Sequence, residues 1–225
     1  MAILRYLRAV GCGHDRNRRR RMPVLFALAA LSSAFLLFWV EPLFTRLVLP
    51  LLGGSPAVWN TCLMYFQALL LIGYLYAHCS SLYLSTRHQI ALHSFLLACC
   101  FIALPIALPT GWTTPPASGN VIPWLLGVLT VTVGAPFTVL SATAPLLQRW
   151  IAGLDEPVAN PYALYAASNA GSFIGLLAFP VVFEPNLRLG QQALIWAVVY
   201  VVAFALIAGC GILTWRHTSA ISPPA

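Results

Sequence analysis

The chain has 225 residues, of which 60% are hydrophobic and only 8% charged, with a mean hydropathy of +0.84. A soluble domain carries roughly 25% charged residues, so the composition excludes a soluble fold and makes the bilayer the solvent. The net charge of +7 is not the mark of a nucleic-acid binder, because seven of the twelve Arg lie in the first 21 residues, with no folded basic module beside them.

That basic tail precedes the first apolar run, about Pro23 to Val40. The run is too long for a typical signal-peptide core, and no small-residue cleavage site follows it. Met22 is an alternative initiator, with residues 1–21 then an extension. A Pro- and Gly-rich link, Pro50 to Pro56, leads to a second span of about Val58 to Ala77. A polar turn leads to a third, about Ile90 to Leu108. Residues 109–121 form an uncharged Pro-, Thr- and Gly-rich loop. The fourth span runs from about Ile122 to Leu147, the fifth from about Tyr162 to Phe183 and the sixth from about Gln192 to Thr214. Each is long enough to cross ~30 Å of hydrocarbon at ~1.5 Å per residue. The expected architecture is an all-α, polytopic, six-helix domain over residues 23–214, flanked by a basic tail (1–22) and a short C-terminal tail (215–225).

The arginines orient it. With the N-terminus in the cytoplasm, the inner side holds ten Arg and the outer side only Arg46 and Arg188. Both termini are therefore expected to be cytoplasmic, in a bacterial inner membrane. The basic flank suits anionic headgroups, so the lipid bilayer is the first partner.

Two of the five acidic residues share a setting. Glu41-Pro42 ends span one with Arg46 nearby, and Glu184-Pro185 ends span five with Arg188 nearby. Carboxylates at the ends of bilayer-length segments are costly and tend to be kept for use. Interfacial anchoring by snorkelling is the competing explanation. A cation pathway would join Glu41 and Glu184 to the span amides Asn60, Gln67 and Asn169, whose alternative role is packing glue. Gly171 and Gly175 form a G-x-x-x-G, extended by Ala167, that clears a helix face for close approach. Pro136 and Pro145 are expected to kink span four.

A faint internal repeat is visible. Pro42 to Arg46 resembles Pro145 to Arg149, and Gln67-Ala68 with Ile72-Gly73 resembles Asn169-Ala170 with Ile174-Gly175. A 3+3 inverted repeat, as in many transporters, and chance among Leu, Ala, Gly and Pro both account for it. His78, His88 and His93 lie near the expected inner face, but nothing supplies a second ligand pair for haem. None of the six Cys forms a C-x-x-C pair, so they read as small buried hydrophobes. No cofactor or metal site is expected.

Three stretches are distinctive together: Leu49 to Cys62 with Phe66-Gln67 and Tyr74 to His78; Leu140 to Trp150; and Pro161-Tyr162 with Leu164 to Asn169 and Gly171-Ser172. They resemble the membrane domain of bacterial spermidine synthase-like proteins, described as fused major facilitator/spermidine synthases. The resemblance covers about residues 23–214. The repeat, the kinked fourth span and the outward carboxylates point to a transporter-like module, with a polyamine or other small cation as the solute. Longer members continue into a soluble aminopropyltransferase-like domain, and this chain has no glycine-rich nucleotide loop after a strand. The alternative the resemblance implies is a membrane anchor or scaffold for a separately encoded, soluble synthase-like partner. An enzyme acting alone ranks below both, since no nucleophile–base constellation is visible.

Overall fold

The computed structural model describes residues 2–116, 119–154 and 161–220, and side chains from Met22 onward within them, excepting Pro161 and residues 218–220. Six helices account for the described secondary structure: α1 (Ala2–Leu52), α2 (Pro56–Tyr83), α3 (Thr86–Cys99), α4 (Ile122–Ala152), α5 (Tyr162–Asn186) and α6 (Leu189–Ala220). Five of them, all but α3, are long and apolar enough to cross a membrane.

The third expected span is shorter than the sequence reading gave it. It starts at Thr86 after Ser85 and ends at Cys99, with one 3₁₀ turn to Ala103. Leu104 is extended, as a residue before proline must tend to be. Pro105 and Pro109 stop the helix where hydropathy alone would carry it to Leu108. Fourteen α-helical residues rise ~21 Å, and the 3₁₀ turn adds ~8 Å.

Prolines act differently in the other spans. The expected exit at Pro42 is absent: α1 continues through Pro42 and Pro50 to Leu52. Neighbouring helices re-satisfy what a proline frees in a packed membrane helix. In α4 the backbone switches to a π turn, Thr130–Gly134, immediately before Pro136. Pro136 cannot donate to the carbonyl four residues back, and the wider turn re-pairs that stretch. A second π turn, Phe179–Phe183, contains Pro180 in α5. The acidic segment Asp155-Glu156 lies outside the described residues.

α1 is the centre of the bundle. It packs against α5, α6 and α4, and more lightly against α2; α2 packs chiefly on α4, and α3 on α6. Its core side is filled by Phe26, Leu36, Trp39, Leu43 and Phe44, all essentially buried. Trp196 of α6 donates from Nε1 to the Leu36 carbonyl, 3.0 Å away, and so fixes α6 against α1. The small residues set the closest crossings. A Cβ on Gly175 would sit 2.6 Å from the Phe35 carbonyl oxygen, and one on Gly171 would collide with the Leu31 backbone. On the other side of the bundle a Cβ on Gly73 of α2 would meet the Thr138 carbonyl of α4 at 2.6 Å. These positions admit only glycine because backbone meets backbone there.

Candidate functional site

The ends of the bundle are defined by a few contacts. Arg149 of α4 donates to the Ser81 carbonyl of α2 (3.1 Å) at one end. Arg87 stacks on Trp215 at that same end, where α6 finishes and α1 enters beside Gly209. At the opposite end Arg46 of α1 pairs with Glu184 of α5. The sequence sets an Arg near each Glu, Arg46 after Glu41 and Arg188 after Glu184. The structure pairs across helices instead, because α1 runs straight past Pro42 and turns Arg46 toward α5. The Glu41 carboxylate makes no ion pair among the described residues, and Arg188 uses its backbone N–H to cap on Gln191 Oε1 (2.9 Å).

A cavity of about 330 Å³ opens between α1, α2, α4 and α5, in the half of the bundle nearer the termini. Its polar lining comes from three of these helices: Ser33 of α1, Ser141 and Gln148 of α4, and Ser168, Asn169 and Ser172 of α5. Tyr74, Tyr165 and Phe38 supply aromatic faces. Pro145 also lines it, so the proline-bearing stretch of α4 forms part of the wall.

Of the five residues the sequence grouped into a cation pathway, only Asn169 lines this cavity. Asn60 and Gln67 are exposed on α2, and Glu41 is half-buried near the opposite end. Glu184 lies in a different, larger groove of about 640 Å³, walled by Leu49, Trp59, Leu176, Leu177 and Phe179. That groove is apolar apart from the Arg46–Glu184 pair, and the pair already matches its own charge.

The equivalent depth on the other side of the bundle is closed. Phe66 of α2 and Phe137 of α4 are buried with their rings 5.0 Å apart, and Tyr65 donates to Thr130 Oγ1 at 3.0 Å beside them.

The sequence reading missed a buried polar cluster. His93 of α3 is fully buried, with Nε2 3.1 Å from Thr143 Oγ1, and stacks on Tyr76. Trp150 donates to Gln89 Oε1 at 3.3 Å alongside. His93 was expected near the inner face with His78 and His88, which are indeed exposed. The described residues hold no group of three His, Cys, Asp or Glu side chains able to take a metal.

Several contacts recur at one shift along the chain. Gln89 Nε2 donates to the Leu84 carbonyl (2.9 Å), and Gln192 Nε2 to the Leu187 carbonyl (3.1 Å). Both glutamines are buried, and both leucines are extended breaks between helices. Arg46–Glu184 and Arg149–Ser81 are related by the same shift with partners exchanged. Tyr200 donates to the Leu97 carbonyl (2.9 Å) and Phe101 packs on Phe204 at 5.2 Å, each joining residues 103 apart. Comparison with protein-family models, curated proteins and solved structures gives no match.

Proposed function

We propose that the chain is a transporter-like module of a bacterial inner membrane, built as two inverted three-helix halves, α1–α3 and α4–α6. The observation that carries this reading is the exchange of partners under the shift of 103 residues. In a two-fold arrangement, if residue i of the first half touches j of the second, the equivalent of i touches the equivalent of j. Arg46 to Glu184 and Arg149 to Ser81 obey that rule at opposite ends. Gly73 on Thr138 and Gly175 on Phe35 obey it at mid-membrane. There the α2–α5 shift is one residue less, and the π turn of α5 supplies the extra residue. Tyr200–Leu97 and Phe101–Phe204 are self-equivalent pairs, as contacts on a two-fold axis must be.

Inverted repeats support alternating access, with a site near the midplane reached from one side at a time. A polar cavity on one side and aromatic closure on the other is the arrangement such a cycle needs. The arginine asymmetry supports a cytoplasmic location for both termini, and so for the open side. Reporter fusions at Gly111 and Ala225 test that orientation: a cytoplasmic signal at Gly111 or a periplasmic one at Ala225 overturns it. The resemblance to the membrane domain of spermidine synthase-like proteins supports the same class.

Proteoliposomes holding the purified chain test transport. Saturable uptake of a small polar solute is expected, and Ala144→Leu, which fills the cavity, should lower it at least tenfold. No solute-specific uptake over a panel of amines, polyols and amino acids would set this reading aside in favour of a scaffold for a soluble synthase-like partner.

A further inference from the structure

We propose that the cavity between α1, α2, α4 and α5 binds a small solute rich in N–H or O–H donors and carrying no negative charge. Three of the four serine hydroxyls of the lining are already committed as donors. Ser33 donates to the Ala30 carbonyl (3.0 Å), Ser141 to the Thr138 carbonyl (2.8 Å) and Ser172 to the Ser168 carbonyl (3.1 Å). A hydroxyl has one proton and two lone pairs, so what these three offer the cavity is acceptor oxygen. No Arg, Lys or His side chain lines the wall. An anion there would give up its hydration in a low-dielectric setting with no cation to meet it, which is unfavourable. A donor-bearing solute meets oxygens on α1, α4 and α5 and aromatic faces of Tyr74 and Tyr165, which suit an ammonium group as well as a polyol edge.

The repeat adds to the argument. Glu41 occupies in α1 the place that cavity-lining Ala144 occupies in α4, as Pro42 matches Pro145. Gln67 likewise matches Asn169. A cavity opened at the opposite end by the symmetric motion would be lined by a carboxylate and an amide, again acceptor-rich. The half-buried Glu41 thereby gains a use that its surroundings in this conformation do not give it.

This assignment rests on the transporter-like reading of the cavity. Its test is binding. Saturation-transfer NMR on the full chain in lipid nanodiscs would use ethylenediamine, glycerol and succinate as probes, one cationic, one neutral and one anionic. At least one donor probe should bind saturably, and succinate should not. Glycerol alone identifies a polyol-type solute; ethylenediamine, an amine. Asn169→Leu, at an exposed position that tolerates change, and Ala144→Leu should each weaken that binding at least tenfold, while Glu184→Gln in the other groove leaves it unchanged. Succinate binding, the absence of both donor signals, or donor binding indifferent to both cavity variants overturns the assignment. Binding that obeys these rules without uptake would leave the site standing and remove transport; uptake indifferent to the cavity variants would do the reverse.

Discussion

Under the proposed two-fold relation, the two ends of this bundle use equivalent positions for opposite purposes. Toward the termini, α5 brings Ser168 and Asn169 to face Ser33 of α1 and Ser141 of α4, and a polar space remains between them. Toward the other end, the matching places on α2 and α4 hold Phe66 and Phe137, which fill the space with two rings. Each end keeps a buried glutamine that donates to the extended leucine five residues before it, Gln89 to Leu84 and Gln192 to Leu187. The difference lies in side-chain size and polarity. On the proposed two-fold relation, the repeat sets where a cavity can form, and the residues placed there decide which end is open.

The strongest way to break this contrast is to remove the closure. Phe137→Ala should destabilise the protein by about 3–5 kcal/mol, the usual cost of deleting a buried aromatic. It should also let a water-soluble thiol reagent reach Cys62, which is buried on the same helix as Phe66. Unfolding in mild detergent and thiol labelling check the two effects. A variant as stable and as closed as the parent would show that the rings are not the plug.

Crossing glycines sharpen the comparison of the halves. Gly73→Leu and Gly175→Leu should each cost about 1–3 kcal/mol by overpacking, or prevent assembly, because a neighbouring backbone cannot retreat. Leu176→Ala, at an exposed position, should cost far less. Melting temperatures of the purified variants give the ranking. Strongly unequal effects at Gly73 and Gly175 would weaken the two-fold relation.

The smallest effect is expected at the bundle ends. Arg46 is 49% exposed and Glu184 34% exposed, so Glu184→Gln should cost about 0–1 kcal/mol, the range of exposed ion pairs. Arg149→Gln, which loses one hydrogen bond to a carbonyl, should fall in the same range. A chemical melt that separates the two by several kcal/mol would mean the ends are not equivalent.

Much of the fold was legible because apolar runs of bilayer length leave few alternatives. All six expected spans appear as helices with shifted ends, five of them long and apolar enough to cross a membrane, and Gly171 and Gly175 face α1 because small size is their only side-chain property. The misses have physical causes. Pro42 read as a corner, yet a packed membrane helix absorbs a proline. Glu41 and Glu184 read as parts of one site, each with an Arg close in sequence, yet pairing depends on helix azimuth, which an all-apolar segment does not encode. For the same reason nothing marked His93 as interior. The cavity was legible only at Asn169; Ser33, Ser141 and Gln148 come from two other helices, and single serines in long apolar runs carry no signal of the face they occupy.

The most direct test of the one-sided, two-fold design is sided thiol labelling of Ala144→Cys and Glu41→Cys, the equivalent positions of the two halves, in vesicles of both orientations. An impermeant reagent should modify Ala144→Cys from the face that bears the termini, and Glu41→Cys, more slowly, from the opposite face. Modification of both from the same face, or of Ala144→Cys from the face opposite the termini alone, would contradict the account.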